Sequence, residues 1–448
     1  MSWNSLQIGL SGTVAARRAM EVISENVANV NTDGYSRRRV EQAVAVRLSP
    51  MGSEPSREIE AGVRVARVTR MRDALLDNAY RTQSASVAGS QVRADVAARA
   101  EEVLGPLNSG VQDAMGDFWS AWEKLASNPG DVATRYEVLS AGDRLATQLR
   151  NSAQQIHSIE RLMTDRRNQV VDQINEYSRQ LAQLNSQIGD AVFRGAAPND
   201  LLDERDVLLD KLSRLLHLTT SENSAGVTSV YVGAFPLVDG VSSLEISTPA
   251  GGSPVWSLNG SPVELSGQLG AMQEALDLTL PGVESSLDEI AAVLRQVVND
   301  QHRLGVTLDG AAGGDFFTGS SAADLRLSSS LGPRDVAAGF TSASADNGNA
   351  LVMADLGTRA VAGAGATDAL LLDLASRLGR NAVSTEQMAR VATSTLSTAD
   401  DQRQSGMGVN LDEEMADLVR YQRAYEASAR VMQIADEMLE RLINLNGR

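Results

Sequence analysis

Apolar residues recur at helical spacing at both ends of the chain. Near the start, the spacing predicts an amphipathic helix over residues 3–30, and Asp33-Gly34 ends it because glycine tolerates the left-handed conformation that follows many helices. Near the end, a second amphipathic helix starts at about Leu411 and continues almost to the C-terminus. A shift of register near Tyr421 divides its apolar positions into two seams. The pattern therefore predicts two long terminal helices.

The middle of the chain changes its pattern twice. Residues 146–191 carry apolar side chains at heptad spacing, which predicts a coiled-coil-like helix roughly 70 Å long at 1.5 Å per residue. Residues 219–266 are rich in Ser, Thr, Gly and Val, and strand-like runs there flank Asn259-Gly260, a hairpin signal. Further on, the pattern predicts a helix over 367–380 and, from a capping box, a separate helix over 384–403.

These elements predict a mainly α fold with a small β insertion. We expect an elongated, multi-domain rod of long coiled-coil-like helices, with the N- and C-terminal helices paired at one end. At 448 residues the chain is too long for a single ordinary core. Three regions are expected: a terminal-helix module (1–35 and 405–448), a helical rod (36–218 and 269–404) and a β insertion (219–268).

Composition excludes several classes of function. The formal charge of −17 argues against partners such as nucleic acid or an anionic membrane. The absence of cysteine excludes disulfides, thiolate metal sites and cysteine nucleophiles. The chain has neither a secretory signal at its start nor a run of ~20 apolar residues that could span a membrane. Taken alone, these facts favour a cytoplasmic protein.

The sequence offers no arrangement suited to catalysis. His157, His217 and His302 are far apart and lack the spacing of metal ligands. The acidic groups at 203–206 and 412–414 fall in the first turns of predicted helices, where carboxylates interact favourably with the helix macrodipole. We therefore expect no enzyme activity, no cofactor and no metal ion.

The two ends carry opposite charges. The first forty residues hold five arginines and three acidic residues, a formal +2, and residues 411–448 hold eight acidic residues and five arginines, a formal −3. Opposite signs favour pairing of the two ends, although exposed ion pairs are individually weak. Because two paired helices have too little core to be stable alone, we expect neighbouring subunits to complete the module.

Both ends also carry recognisable motifs. The first is Asn26-Val27-Ala28-Asn29-Val30-Asn31-Thr32-Asp33-Gly34-Tyr35-Ser36-Arg37; the second is Gly408-Val409-Asn410-Leu411-Asp412-Glu413-Glu414-Met415, followed by Tyr421-Gln422-Arg423-Ala424-Tyr425. With Leu125-Ala126-Ser127-Asn128-Pro129 and Asp315-Phe316-Phe317 between them, the chain resembles the flagellar axial proteins of the basal body rod and hook-associated family. The resemblance covers essentially the whole chain and is closest to the hook-associated protein 1 group.

The resemblance implies a structural protein that joins the flagellar hook to the filament and polymerises through its terminal helices. The partners it implies are further copies in a junction ring, the hook protein, a second hook–filament junction protein, and a cytoplasmic export chaperone at the C-terminal helix. It also implies secretion through the flagellar type III export channel without a cleaved signal peptide. The residues expected at the assembly interface all lie in the terminal module: Leu6, Leu10, Val27, Gly34, Tyr35, Leu411, Met415, Leu418, Tyr421, Tyr425, Val431, Met438 and Leu442.

Two other functions stay open at this point. Another axial component, such as a hook or rod protein, shares Asn29-Val30-Asn31-Thr32 and the C-terminal tyrosine pair. Such proteins lack the long coiled-coil section that follows the Ala-Ser-Asn-Pro turn here. A cytoplasmic coiled-coil scaffold is a less favoured alternative, and it would agree with the missing signal peptide.

Overall fold

The computed structural model describes residues 2–47, 59–105, 110–247, 257–258, 261–262, 265–359 and 366–445. The helices are α1 (Ser2–Ala28), α2 (Ala74–Glu102), α3 (Val111–Ser127), α4 (Val132–Phe193), α5 (Asn199–Leu215), α6 (Gly267–Glu274), α7 (Leu280–Leu304), α8 (Gly348–Asp355), α9 (Thr367–Met407) and α10 (Leu411–Leu445). The strands are β1 (Arg38–Arg47), β2 (Ile59–Arg70), β3 (Thr219–Glu222), β4 (Thr228–Val232), β5 (Phe235–Asp239), β6 (Ser242–Ser243), β7 (Ile246–Ser247), β8 (Ser257–Leu258), β9 (Ser261–Pro262), β10 (Phe317–Thr318) and β11 (Arg326–Leu327). The predicted mainly α fold with a small β insertion and paired terminal helices is confirmed.

Helix α4 is the axis of the helical body. It contains 62 residues, so at 1.5 Å per residue it is about 93 Å long. The predicted heptad positions are buried along it, among them Ile156, Ile174 and Leu181, so the coiled-coil-like pattern is confirmed. The helix starts at Val132, before the heptad stretch, and the Asp131 side chain caps it by accepting a hydrogen bond from the Ala133 amide.

Two hydrophobic cores line this helix. The first is built from α3, α4, α7 and α8 around the rings of Phe118, Trp122, Phe316 and Phe317, all at most 1% exposed. The Asn299 side chain fixes the turn at Phe316 and Phe317, since its carbonyl oxygen accepts hydrogen bonds from both of their backbone amides. The second core joins the far half of α4 to α5, α6 and the small sheets.

Strands β3 to β9 form two antiparallel sheets, β3-β4-β5-β6 and β7-β8-β9, and β10 pairs with β11 elsewhere in the chain. Asn185 on α4 anchors the first sheet, because its amide donates hydrogen bonds to the Thr228 and Gly240 carbonyls, each at 2.7 Å. Asn259-Gly260 lies outside the described residues, although the strands on either side of it pair as a hairpin. The boundaries of the three predicted regions stay a prediction.

The predicted helix start at 384 is wrong. Helix α9 continues without a break through this point and packs along α2. The Thr385 hydroxyl donates a hydrogen bond to the Asn381 carbonyl, 2.8 Å away on the preceding turn, instead of capping a new N-terminus. Within the described residues, no helix is long and apolar enough to cross a membrane.

Candidate functional site

The first and last helices pack antiparallel through small residues. An added Cβ at Gly9 would lie 2.7 Å from the Met432 side chain, and one at Gly12 would lie 2.5 Å from the Ser428 hydroxyl. Ala435 is completely buried in the same seam. Because these positions carry almost no side chain, the two helix backbones approach closely. Gly12, which looks like a weak point for a helix in the sequence, is instead needed for this contact.

A β-hairpin supports α1 on its other side. Strands β1 and β2 pair antiparallel from Arg38↔Arg70 to Arg47↔Ile59, and their Val40, Val65 and Val68 pack with Ala19 and Val22 of α1 and with Tyr421 of α10. Further along α1, the Ser11 hydroxyl accepts a hydrogen bond from the Val63 amide at 3.1 Å. The hairpin, which the sequence assigned to the rod, therefore lies against the terminal helices.

The two terminal motifs meet at a buried polar centre around Asn26. Its amide nitrogen donates to the Arg38 carbonyl at 2.9 Å and to the Glu414 carboxylate at 3.0 Å. Its side-chain oxygen accepts from the Arg38 amide at 2.9 Å and from the Tyr35 hydroxyl at 2.8 Å. Asn26 thus uses its full hydrogen-bonding capacity, and it links α1, the following turn and α10.

Arg37 completes this centre from the turn. Its guanidinium donates to Glu414 at 2.7 Å and to Glu413 at 2.8 Å. The Glu414 carboxylate is only 2% exposed, so it is held in the module as a paired, buried charge. These two carboxylates also lie in the first turn of α10, as the sequence predicted.

The turn that follows α1 contacts the helical body. Helix α1 ends at Ala28, two residues before the predicted end at residue 30, and Gly34 adopts a φ of 81°, the left-handed value that the sequence predicted for it. A Cβ on Gly34 would lie 2.1 Å from Val207 of α5. Burial raises the pKa of the Tyr35 hydroxyl to about 12, despite the opposing effect of Arg38, so Tyr35 stays a hydrogen-bond donor at physiological pH.

An ionic joint connects the terminal module to the body. It consists of five arginines bound to carboxylates of α5 and α2. Two of them, Arg38 and Arg70, lie at the base of the hairpin, and the other three, Arg72, Arg81 and Arg403, lie around it. The pairs are Arg38–Asp200, Arg38–Asp203, Arg70–Asp203, Arg70–Asp206, Arg72–Asp77, Arg72–Asp206, Arg81–Asp206, Arg81–Asp210, Arg403–Asp77 and Arg403–Asp210. Burial alone would raise the pKa of the Asp206 carboxyl, but Arg72, Arg70 and Arg81 outweigh that effect and hold it at about 2.

The helix-dipole explanation of Asp203 and Asp206 is therefore wrong. Helix α5 starts at Asn199, and Asp200 is the acidic residue in its first turn. Asp203 and Asp206 lie further along, where they are buried against arginines. Sequence reasoning missed this joint because its arginines are spread over the chain between Arg38 and Arg403.

The predicted interface residues are mostly not buried within the chain. Leu6, Val27, Tyr35, Leu418 and Tyr421 are half-buried, and the side chain of Leu442 lies outside those that the structure describes. The others are exposed, Leu10 by 52%: Leu10, Gly34, Leu411, Met415, Tyr425, Val431 and Met438. Small residues bring α1 close to α10, and of the predicted larger residues Tyr421 packs with Ala19 and Val22 of α1. A role of the larger residues in assembly stays a prediction.

One group of metal-capable side chains occurs in the described part of the chain. His157, Glu160 and Glu284 place one ligand atom each within 4.8 Å of the others. The imidazole Nδ1 faces Glu160 at 3.2 Å, whereas Nε2 faces Glu284 at 3.5 Å. The two carboxylates therefore meet different edges of the ring, an arrangement that links α4 to α7 by polar contacts.

Three models of known protein families match the chain, two at its termini and one in its body. The family model described as flagellar hook-associated protein FlgK helical domain matches residues 97–317. The flagella basal body rod protein model matches residues 6–35, and the flagellar basal body rod FlgEFG protein C-terminal model matches residues 400–445. The two rod models thus cover most of α1 and all of α10.

Sequence similarity to known proteins extends over nearly the whole chain. Flagellar hook-associated protein 1 of Bacillus subtilis is 28% identical, covering 96% of each chain, and that of Escherichia coli is 24% identical, covering 97% of this chain and 98% of its own. A solved structure, the flagellar hook junction protein FlgK from Burkholderia pseudomallei, is 29% identical, with a TM-score of 0.48 over 54% of this chain and 46% of that one. The chain belongs to the family of flagellar hook-associated protein 1, the structural axial proteins of the bacterial flagellum at the hook–filament junction.

Proposed function

We propose that this chain assembles into the flagellar axis through its paired terminal helices and there connects the hook to the filament. One observation carries the proposal: the small residues of α1 and α10 hold the two helices together, while their large apolar side chains face solvent. On α10 the exposed set is Leu411, Met415, Val419, Tyr425, Val431, Ile434 and Met438, and on α1 it is Ile8, Leu10 and Val14.

Apolar side chains exposed to water lower the stability of a monomer, whereas their burial between subunits stabilises a polymer. Complete burial of one such side chain stabilises by ~1.5–3 kcal/mol, and contiguous apolar surface of this kind is typical of protein interfaces. The intramolecular core between α1, α10 and the hairpin is small. Neighbouring subunits that cover the exposed side chains would therefore stabilise the module as well as the polymer.

The partners in this proposal follow from the same surface and from the family. They are further copies of the chain in a junction ring, the hook protein and a second hook–filament junction protein. Before assembly, an export chaperone in the cytoplasm covers the apolar side chains of α10, and the protein leaves through the flagellar export channel without a cleaved signal peptide. Its role is structural and not enzymatic.

A hook or rod protein is the second candidate, because two rod-family models match the terminal helices. Electron microscopy of cells that lack this protein distinguishes the two functions. Loss of the junction leaves hooks without filaments, whereas loss of a hook or rod protein leaves no complete hook. The cytoplasmic scaffold is excluded if the protein is recovered in flagella sheared from the cell surface.

A charge on the exposed face of α10 tests the assembly surface itself. Ile434 is 49% exposed, so Ile434→Asp should leave the melting of the helical body unchanged. In a polymer the same charge would be buried without a partner, which costs several kcal/mol. We expect secreted protein, intact hooks and missing filaments. Leu278→Asp, at a position that is 70% exposed on the body, is the matched control and should support filaments.

Export has to be monitored in this experiment, since the chaperone would bind the same helix. Recovery of the Ile434→Asp protein from the medium shows that export is intact. Normal filaments on cells that carry only this variant would contradict assembly through the terminal helices.

A further inference from the structure

Helix α10 has three distinct faces. With 3.6 residues per turn, Glu414, Tyr421, Ser428 and Ala435 recur every seventh position and form the face that packs on α1. Beyond this face, Asp417, Leu418, Ala429, Met432 and Leu439 are half-buried, and the other described residues of the helix are exposed. Each residue advances about 100° around the axis, so the positions of the charged side chains on this exposed part can be assigned directly.

The exposed charges beyond Glu414 separate by sign. One face carries only acidic residues, Glu426, Asp436, Glu437 and Glu440, and the adjacent face carries only arginines, Arg420, Arg423, Arg430 and Arg441. Asp417, which pairs with Arg420 at 3.3 Å, lies on the α1 side. Among the described residues, none of the other charged side chains in these two sets forms a salt bridge. The helix therefore presents two unpaired faces of opposite charge.

Each face also carries its own apolar stripe. Leu411, Met415 and Val419 extend the acidic face toward the start of the helix, at spacings of four residues. Val431, Ile434 and Met438 lie on the arginine side, at spacings of three and four. An apolar stripe bordered by charges of one sign is a surface that fits a partner of the opposite sign.

We propose that the acidic face of α10 in one subunit docks on the arginine face of α10 in the next subunit. This inference rests on the proposed function and specifies its contact. Two acidic faces brought together by a two-fold axis would repel each other, and so would two arginine faces. A head-to-tail contact avoids both, and contacts of this kind propagate into rings or helical assemblies. The partner on each exposed face of α10 is therefore a second copy of the same chain.

Paired charge reversals test this contact in cells that lack the native protein. Variant one carries Glu426→Arg, Glu437→Arg and Glu440→Arg, so that only Asp436 stays acidic and both of its α10 faces are basic. Variant two carries Arg423→Glu, Arg430→Glu and Arg441→Glu, so that only Arg420 stays basic and both of its faces are acidic. Each variant alone brings like charges together and should reduce the number of filaments by roughly tenfold or more. When both are expressed in one cell, basic and acidic subunits can alternate, and filaments should return.

Controls separate the outcomes. Glu123→Arg with Asp165→Arg and Asp172→Arg makes the same change of net charge as variant one on exposed positions of the body and should assemble normally. Full assembly of either reversed variant alone overturns the proposed contact, as does failure of the mixture although both variants are secreted and fold. Absence of the wild-type chain from isolated hooks would instead contradict the proposed function, so the two failures can be told apart.

Discussion

Asn26 and Glu414 are joined by a buried hydrogen bond of 3.0 Å although 388 positions separate them in the chain. Asn26 belongs to the motif that begins in the last turn of the first helix, and Glu414 belongs to the motif that starts the last one. The two motifs that identify the family in the sequence therefore make one polar centre in the structure. That centre fixes the register of α1 against α10.

Removing the Asn26 side chain should open this centre. Asn26→Ala removes the hydrogen-bond partner of the Tyr35 hydroxyl and one of the two partners of Glu414, which keeps only Arg37, at a cost of ~1–3 kcal/mol for each buried group left unsatisfied. Hydrogen exchange of the α10 amides should accelerate accordingly, while exchange in α4 should not change. Asn31→Ala, at an exposed position in the same motif, is the control. Unchanged exchange in α10 would show that Asn26 does not hold the helices together.

The close approach of the two helices predicts an unusual response at Gly12. Alanine is favoured over glycine inside a helix by up to ~1 kcal/mol, but a Cβ here would lie 2.5 Å from the Ser428 hydroxyl. Gly12→Ala should therefore destabilise the module, and adding Ser428→Gly should restore it by removing the clashing side chain. Gly116→Ala on α3, where the new Cβ meets nothing within 4 Å, should be neutral or stabilising in thermal melting. A destabilised double variant would rule out the steric explanation.

The ionic joint predicts a loss of stability in acid. The folded pKa of Asp206 is about 2, below the ordinary value of 3.8, so its contribution is complete above about pH 5 and disappears as the pH falls toward 2. At neutral pH, Asp206→Asn should lower the free energy of unfolding by roughly 1.5–3 kcal/mol, because Arg70, Arg72 and Arg81 each lose one of their two carboxylate partners. The difference from wild type should shrink between pH 5 and pH 2.5, as measured by urea unfolding.

Two comparisons make this acid test specific. Asp324 and Asp346 also have pKa values of about 2, so only the difference between wild type and Asp206→Asn isolates the joint. Asp200→Asn removes an Arg38 partner whose side chain is 88% exposed and should cost at most ~1 kcal/mol. A difference that stayed constant over the whole pH range would contradict the assignment.

The long helix predicts a large effect of truncation in its core. Leu181 is completely buried at a heptad position of α4, so Leu181→Ala should cost ~2–5 kcal/mol of stability. Leu372→Ala, at a position that is 59% exposed on α9, should change stability by less than ~0.5 kcal/mol. Equal melting temperatures for the two variants would disprove the heptad register.

Local pattern determined much of this protein. The spacing of apolar residues is enough to predict α1, α4 and α10, because the period of a helix is a property of each segment by itself. The left-handed Gly34 follows from the same local logic. The motifs at the two ends are also contiguous in sequence, and they were sufficient to indicate the family before any contact was known.

Only the tertiary structure decided which faces of α1 and α10 contact each other. The pattern identifies Leu10 and Met438 as apolar positions, but it does not show that Gly9, Gly12 and Ala435 make the contact between the helices while the larger side chains stay exposed. It also misplaced a helix start at 384, since a capping motif is overridden when the helix packs along a neighbour. The ionic joint was invisible for the same reason: its charges are spread over the chain between Arg38 and Arg403, and only the packing of α2, α5, α9 and the hairpin brings them together.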